Sequence, residues 1–196
     1  MSSQTMPLPS PTARPSVASI WFQAIRPKTL TAALAPVGVG TGLAIADGVV
    51  SWTPILAALV GATLIQVGTN LANDYFDFKK GADTDDRLGP ARVTQKGWVS
   101  PKQVAIATVV TFALSVLVGS YLVYVGGLPI IAIGVASILS GVLYTGGPRP
   151  LGYLGLGDIF VFAFFGPVAV CGTYYVQSLT ISSTSIWASI PVGLLA

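Results

Sequence analysis

The sequence predicts an all-α membrane protein, a bundle of transmembrane helices. Three observations carry that expectation. Of 196 residues, 53% are hydrophobic and only 9% charged, against about 25% charged in a typical soluble domain. Five successive runs have the length and apolar character of a spanning helix, and a sixth begins; a ~30 Å hydrocarbon core needs roughly 20 such residues. The basic residues fall in alternate connections between those runs, as they do when all lie on one side of a bilayer.

Taken in order, residues 1–15, "MSSQTMPLPSPTARP", are rich in Pro and Ser and read as a disordered cytoplasmic tail. No apolar core follows a basic start, so they do not form a signal peptide. Residues 16–26 suit a short interfacial helix with Trp21 and Phe22 at headgroup depth. The spans then run over about 29–46, 54–78, 101–125, 128–146 and 156–178. Pro54 starts the second, and Ser100 with Pro101 caps the third. The sixth starts near Ser185 and reaches only Ala196. Its twelve residues cover about 18 Å, short of the hydrocarbon thickness. The chain is therefore read as a fragment, with five spans and a truncated sixth.

With this span count Arg14, Arg26, Lys28, Lys79, Lys80, Arg87, Arg92, Lys96, Lys102 and Arg149 all lie on one side. By the positive-inside rule that side is cytoplasmic. The expected location is the cell (plasma) membrane, multi-pass, with the N-terminus and the Asp-rich loop in the cytoplasm. Asp74, Asp77, Asp83, Asp85, Asp86 and Asp158 fall on the same side. Acids contribute little to topology, so this crowding asks for another explanation.

There is no His and no Glu, and the one Cys, Cys171, sits in an apolar run. No disulfide forms within one chain, and any metal must be held by oxygen, which suits hard cations such as Mg²⁺. At ~100° per residue, Gln66, Asn70, Asn73 and Asp77 share one face of the second span, with Asp74 slightly to one side. Such a stripe faces a bundle interior or a watery cavity. Interhelical hydrogen bonding is the plain alternative for Gln66 and Asn70. Asn73, Asp77 and Asp83 are more concentrated than that use requires. "DFKKGADTDD" fails the EF-hand pattern, with Lys79 and Gly81 where ligands belong. A carboxylate–Mg²⁺–phosphate bridge fits better.

Lys79, Lys80, Arg87, Arg92 and Lys96 lie close by and suit phosphate oxygens, Arg most of all. Attraction to lipid headgroups is the alternative. A second patch on the same side, "LYTGGPRPLGYLGLGD", carries Tyr144, Arg149 and Tyr153, which could line a pocket. Asp158 there opens the fifth span, as a site residue or simply a helix cap. An apolar bundle with a metal–diphosphate site at its cytoplasmic mouth matches a polyprenyl diphosphate. Nucleic acid is not an expected partner.

These residues carry a resemblance. "NDYFDFKKGAD" resembles the first Asp-rich motif of the UbiA-type intramembrane prenyltransferases. "RPKTLTAALAPVGVGTGLA", the longer run "NLANDYFDFKKGADTDDRLGPARVTQKG" and "YTGGPRPLGYLGLGDIFVFAFFGPVAVCGTYY" resemble the 1,4-dihydroxy-2-naphthoate branch, in order and spacing. The resemblance covers about residues 22–196.

It implies a nine-helix bundle around a central cavity, with residues 16–196 as a prenyltransferase domain incomplete at its C-terminus. It places Asn73, Asp77 and Asp83 on Mg²⁺ as catalytic and metal residues, with Asn70, Lys79, Arg87, Arg92, Tyr144, Arg149, Tyr153 and Asp158 on the substrate side. It implies transfer of a polyprenyl group from its diphosphate to 1,4-dihydroxy-2-naphthoate with loss of CO₂, giving demethylmenaquinone. The family's second Asp-rich motif would fall beyond Ala196, so this piece alone is expected to be inactive.

Other acceptors, 4-hydroxybenzoate or homogentisate, are the nearest alternative. The loop residues Gly81, Asp83, Asp86, Arg87, Gly89, Pro90 and Arg92 favour the naphthoate branch. A transporter is the alternative from another class. It should show polar residues at mid-membrane depth on several helices, and the first, third and fourth spans offer only hydroxyls there.

Overall fold

The computed structural model describes residues 15–81 and 92–196. The expected tail and the candidate residues Asp83 and Arg87 lie outside the described residues. Within them every regular element is helical: α1 (Val17–Ile25), α2 (Pro27–Ala46), α3 (Trp52–Lys80), α4 (Pro101–Gly126), α5 (Leu128–Leu143), α6 (Gly157–Ala163), a π-helical turn (Phe164–Val168), α7 (Ala169–Ser178) and α8 (Ser183–Leu194).

Four helical stretches are long and apolar enough to cross a membrane: Pro27–Ala46, Trp52–Lys80, Pro101–Gly126 and Gly157–Ser178. This is a multi-pass membrane protein. Its outer surface agrees, since Val109 and Leu117 of α4 are 68% and 67% exposed. Apolar side chains in that setting belong against hydrocarbon.

The spans differ from expectation in two places. The span expected over 128–146 is the 16-residue helix α5, ending at Leu143. At ~1.5 Å per residue it covers about 24 Å. It stops because Gly146, Gly147 and Pro148 turn the chain: Gly147 has φ 76°, and a Cβ on Gly146 would meet the Phe76 ring at 2.9 Å. The span expected over 156–178 is helical throughout, but a π-turn interrupts it at Pro167. Proline lacks the N–H that would continue the ladder.

Local signals explain the ends. Ser100 and Gln103 form a reciprocal capping box at the start of α4, an arrangement that stabilises a helix start by about 1 kcal/mol. Gly81 closes α3 in the left-handed region at φ 62°. Ser16 caps α1. Trp21 does not simply lie at the interface: it packs against a buried cluster of Ile20, Ala24, Leu71, Val93, Val99 and Val104. Phe22 does face outward.

Close helix approach follows from small residues, as in other membrane bundles. A Cβ on Gly68 would strike the Phe112 ring of α4 at 2.7 Å, and one on Gly40 would meet the Val170 carbonyl at 2.7 Å. Polar bonds stitch each end. At one end Asn70 reaches the α1–α2 corner, and Lys80 reaches the α5–α6 loop. At the other, the Tyr174 hydroxyl donates to Asp47 at 2.6 Å, and the Ser51 N–H donates to Gln177 at 2.6 Å. The first end carries the Asp-bearing end of α3; the second carries Asp47.

Candidate functional site

The helices α2 to α7 line a half-open cavity of about 610 Å³. Its wall is mostly aliphatic and aromatic. It reaches from Asn73 and Tyr144 at one end to Val123 and Ile130 at the other. Gln66, Thr69, Asn70 and Asn73 form a polar line down its α3 wall. Helical periodicity puts them there, since those residues recur on one side of α3.

Past Asn73, α3 ends in a dense polar cluster. Asn73, Asp74 and Asp77 are all buried. The side-chain oxygen Oδ1 of Asn73 accepts from the Thr145 hydroxyl at 2.8 Å. Asp77 Oδ1 accepts from the Tyr153 hydroxyl at 2.8 Å, and Asp77 Oδ2 pairs with Arg92, itself buried. The Lys80 ammonium donates to the Thr145 and Gly147 carbonyls at 2.7 and 3.0 Å, and lies 5.4 Å from the Tyr153 ring centre. Residues 145–153 of the α5–α6 loop are thus fastened over the end of α3.

The expected site residues divide by position. Asn73, Asp77, Arg92 and Tyr153 meet in this cluster. Tyr144 stands beside it on the cavity wall, with Gly152 and Gly157 against its ring. Asn70 lines the cavity too, but spends its amide N–H groups on the Ile25 carbonyl and the Thr29 hydroxyl, both at 2.8 Å. Lys79 is exposed, its ammonium 5.5 Å from the Tyr75 ring centre. Arg149 is exposed on the loop. Asp158 is exposed in the first turn of α6, where no side chain caps the helix.

Two residues of the cluster, Thr145 and Asp74, escape a reading by motif alone. Thr145 stands in a Gly-rich turn that signals only backbone flexibility. Asp74 turns slightly off the Asn73–Asp77 face, and its carboxylate accepts from the Val93 and Thr94 N–H groups at 3.2 and 3.4 Å.

The donor set can be tested against a divalent metal. Asn73 and Asp77 offer hard oxygens one helical turn apart, a type and spacing that fit Mg²⁺. Each oxygen already accepts a protein donor, and each has a second lone pair to offer. Among the described residues no group of three Asp, Glu, His or Cys gathers closely enough for a metal. The expected third ligand, Asp83, is outside them.

An all-helical, multi-pass membrane protein with a charged clamp at one mouth of an apolar cavity is suited to a ligand with an anionic head and an apolar tail. The chain belongs to the UbiA prenyltransferase family, whose family model matches residues 33–196. It is similar to the 1,4-dihydroxy-2-naphthoate octaprenyltransferase of Mycobacterium tuberculosis, 40% identical over 176 residues, covering 90% of this chain and 60% of that protein. It is 41% identical over 182 residues to the protein of that name in Escherichia coli, covering 90% of this chain and 59% of the other. Against the Haemophilus influenzae protein the identity is 38% over 185 residues, covering 90% and 60%. The chain spans about 60% of the length of these relatives.

Proposed function

We propose that the complete protein transfers a polyprenyl group from its diphosphate to 1,4-dihydroxy-2-naphthoate, with loss of CO₂ and release of diphosphate, giving the quinol form of demethylmenaquinone. It does so at the cytoplasmic face of the plasma membrane. The observation that carries the reading is Asn73, which lines the 610 Å³ apolar cavity and stands one helical turn from the buried Asp77–Arg92 pair. The printed names of the relatives support the acceptor.

Asn73, Asp77 and Asp83 would hold Mg²⁺, which when bound would supply charge neutralisation for a departing diphosphate. Arg92, paired with Asp77, and Lys80, at the end of α3, are the cations that would hold the oxygens of the head. Tyr144, Phe160 and Phe164 border the cavity. Their ring faces favour the positive charge that develops at the allylic carbon when the C–O bond breaks. The apolar wall orients the tail and keeps water from that carbon, so the electron-rich naphthoate ring reaches it instead.

The test is an assay of the complete gene product in membranes, with a polyprenyl diphosphate and each of 1,4-dihydroxy-2-naphthoate, 4-hydroxybenzoate and homogentisate. The expected outcome is prenylation of the naphthoate with CO₂ release, abolished by EDTA and restored by Mg²⁺. Faster turnover of another acceptor would reassign the branch. Activity surviving EDTA would remove the metal.

A further inference from the structure

We propose that Asp74 is a positioning residue that aims Arg92 into the site. The inference rests on the diphosphate reading above and deepens it. Asp74 is 3% exposed. Its two carboxylate oxygens accept from two successive backbone N–H groups, Val93 on Oδ2 at 3.2 Å and Thr94 on Oδ1 at 3.4 Å. Two acceptors on one rigid carboxylate fix both the place and the orientation of that peptide. Asn or Ser in the same position cannot offer two such oxygens.

The held segment is otherwise well braced. Val93 is fully buried, in the cluster with Leu71 of α3 and Ile20 of α1. Behind it the chain closes on itself: the Lys96 N–H donates to the Arg92 carbonyl at 3.1 Å, and the Trp98 N–H to the Val93 carbonyl at 3.0 Å. Arg92 is the residue just before the held peptide, and it reaches Asp77, three positions along α3 from Asp74. The two carboxylates divide the work. Asp74 grips the backbone after Arg92, and Asp77 receives its guanidinium. Asp74 needs no contact with the substrate to matter, because it sets where the Arg92 charge stands.

The test is a double-mutant cycle in the complete gene product, with Asp74→Ala, Arg92→Ala and the pair. It is read by KM and kcat for the polyprenyl diphosphate and by amide exchange over residues 92–98. Asp74→Ala is expected to raise KM roughly tenfold with a smaller change in kcat, the scale of losing hydrogen bonds to a charged group. Amide exchange at Val93 and Thr94 should quicken while α4 keeps its protection. The double variant should be no worse than Arg92→Ala alone, because the two residues act in series. Asp74→Asn keeps one acceptor and should fall between wild type and Asp74→Ala, which covers the case that the alanine variant fails to fold. Losses that simply multiply, or an Asp74→Asn protein with wild-type KM and exchange, overturn the inference while leaving the site intact. An unchanged KM in Arg92→Ala overturns the diphosphate reading itself, and the inference with it.

Discussion

Arg92 donates to Asp77 Oδ2 from fifteen residues further along the chain, and both side chains are buried. The pair sits where the proposed metal would bind, so one cation already occupies the carboxylate that a second would need. Like charges within ~4–6 Å oppose each other. Arg92→Gln keeps an amide donor for Oδ2 and removes the charge. Without substrate, Mg²⁺ should bind the variant several-fold more tightly, on the order of 1 kcal/mol at the dielectric of a partly wet site. The same variant should raise KM for the diphosphate, because the head loses a cation. Calorimetric titration with Mg²⁺ and steady-state kinetics check the two halves. Equal Mg²⁺ affinity in both proteins would take Arg92 away from the metal.

Asp77 pairs with Arg92 and is the proposed metal ligand, and two substitutions separate these roles. Asp77→Ala leaves Arg92 buried without its counter-ion, which costs about 3–5 kcal/mol of stability. Asp77→Asn keeps an acceptor for the Tyr153 hydroxyl and should cost less. Both remove the carboxylate charge, so both should lose Mg²⁺-dependent prenyl transfer by 100-fold or more on the scale of ~2.7 kcal/mol, while still inserting in the membrane. Thermal unfolding in detergent, read beside turnover, distinguishes the roles. Substantial retained turnover in Asp77→Asn sinks the metal role.

Thr145 holds the Asn73 side-chain oxygen at 2.8 Å and so fixes which end of the amide faces the site. A second-layer partner of this kind typically changes metal affinity about 10-fold when removed. Thr145→Val keeps the shape and deletes the donor. The expected result is weaker Mg²⁺ binding with a stability loss of about 1 kcal/mol, measured by the same titration and by thermal unfolding. Thr145→Ser, which keeps the hydroxyl, should restore affinity; if it does not, the hydrogen bond is not what matters.

What could be read from the sequence follows the range of the physics. Helical period alone puts Asn70 and Asn73 on one side of α3, and both do line the cavity. Capping at Ser100 and helix closure at Gly81 are equally local, and the structure has both. The partners of Asn73 and Asp77 are not local. Thr145 and Tyr153 lie 72 and 76 residues away in sequence, and no periodicity links them to α3. Asp74 was visible as a residue slightly off the main stripe, yet its hold on Val93 and Thr94 depends on how the chain returns to the bundle. The expected end of the fourth span at residue 146 falls in the Gly-Gly-Pro turn, and α5 stops three residues earlier, at Leu143. The π-turn around Pro167 was not anticipated.

The membrane sidedness can be tested at two helix starts. Lys96 lies just before α4, at the end that carries Asp77, and Ser182 caps α8 beyond Tyr174 and Asp47. Between them run α4, α5 and the α6–α7 span, an odd number of crossings if the 16-residue α5 traverses the bilayer. Single cysteines at these two positions should then react with a membrane-impermeant maleimide from opposite sides of intact cells, Lys96→Cys only after permeabilisation and Ser182→Cys before it. Cys171 is buried in α7, so background labelling should be low. Labelling of both positions from one side would mean that α5 does not cross. The Asp77 end of α3 and the cap of α8 would then share a face, and labelling of Lys96→Cys before permeabilisation would overturn the cytoplasmic placement of the site.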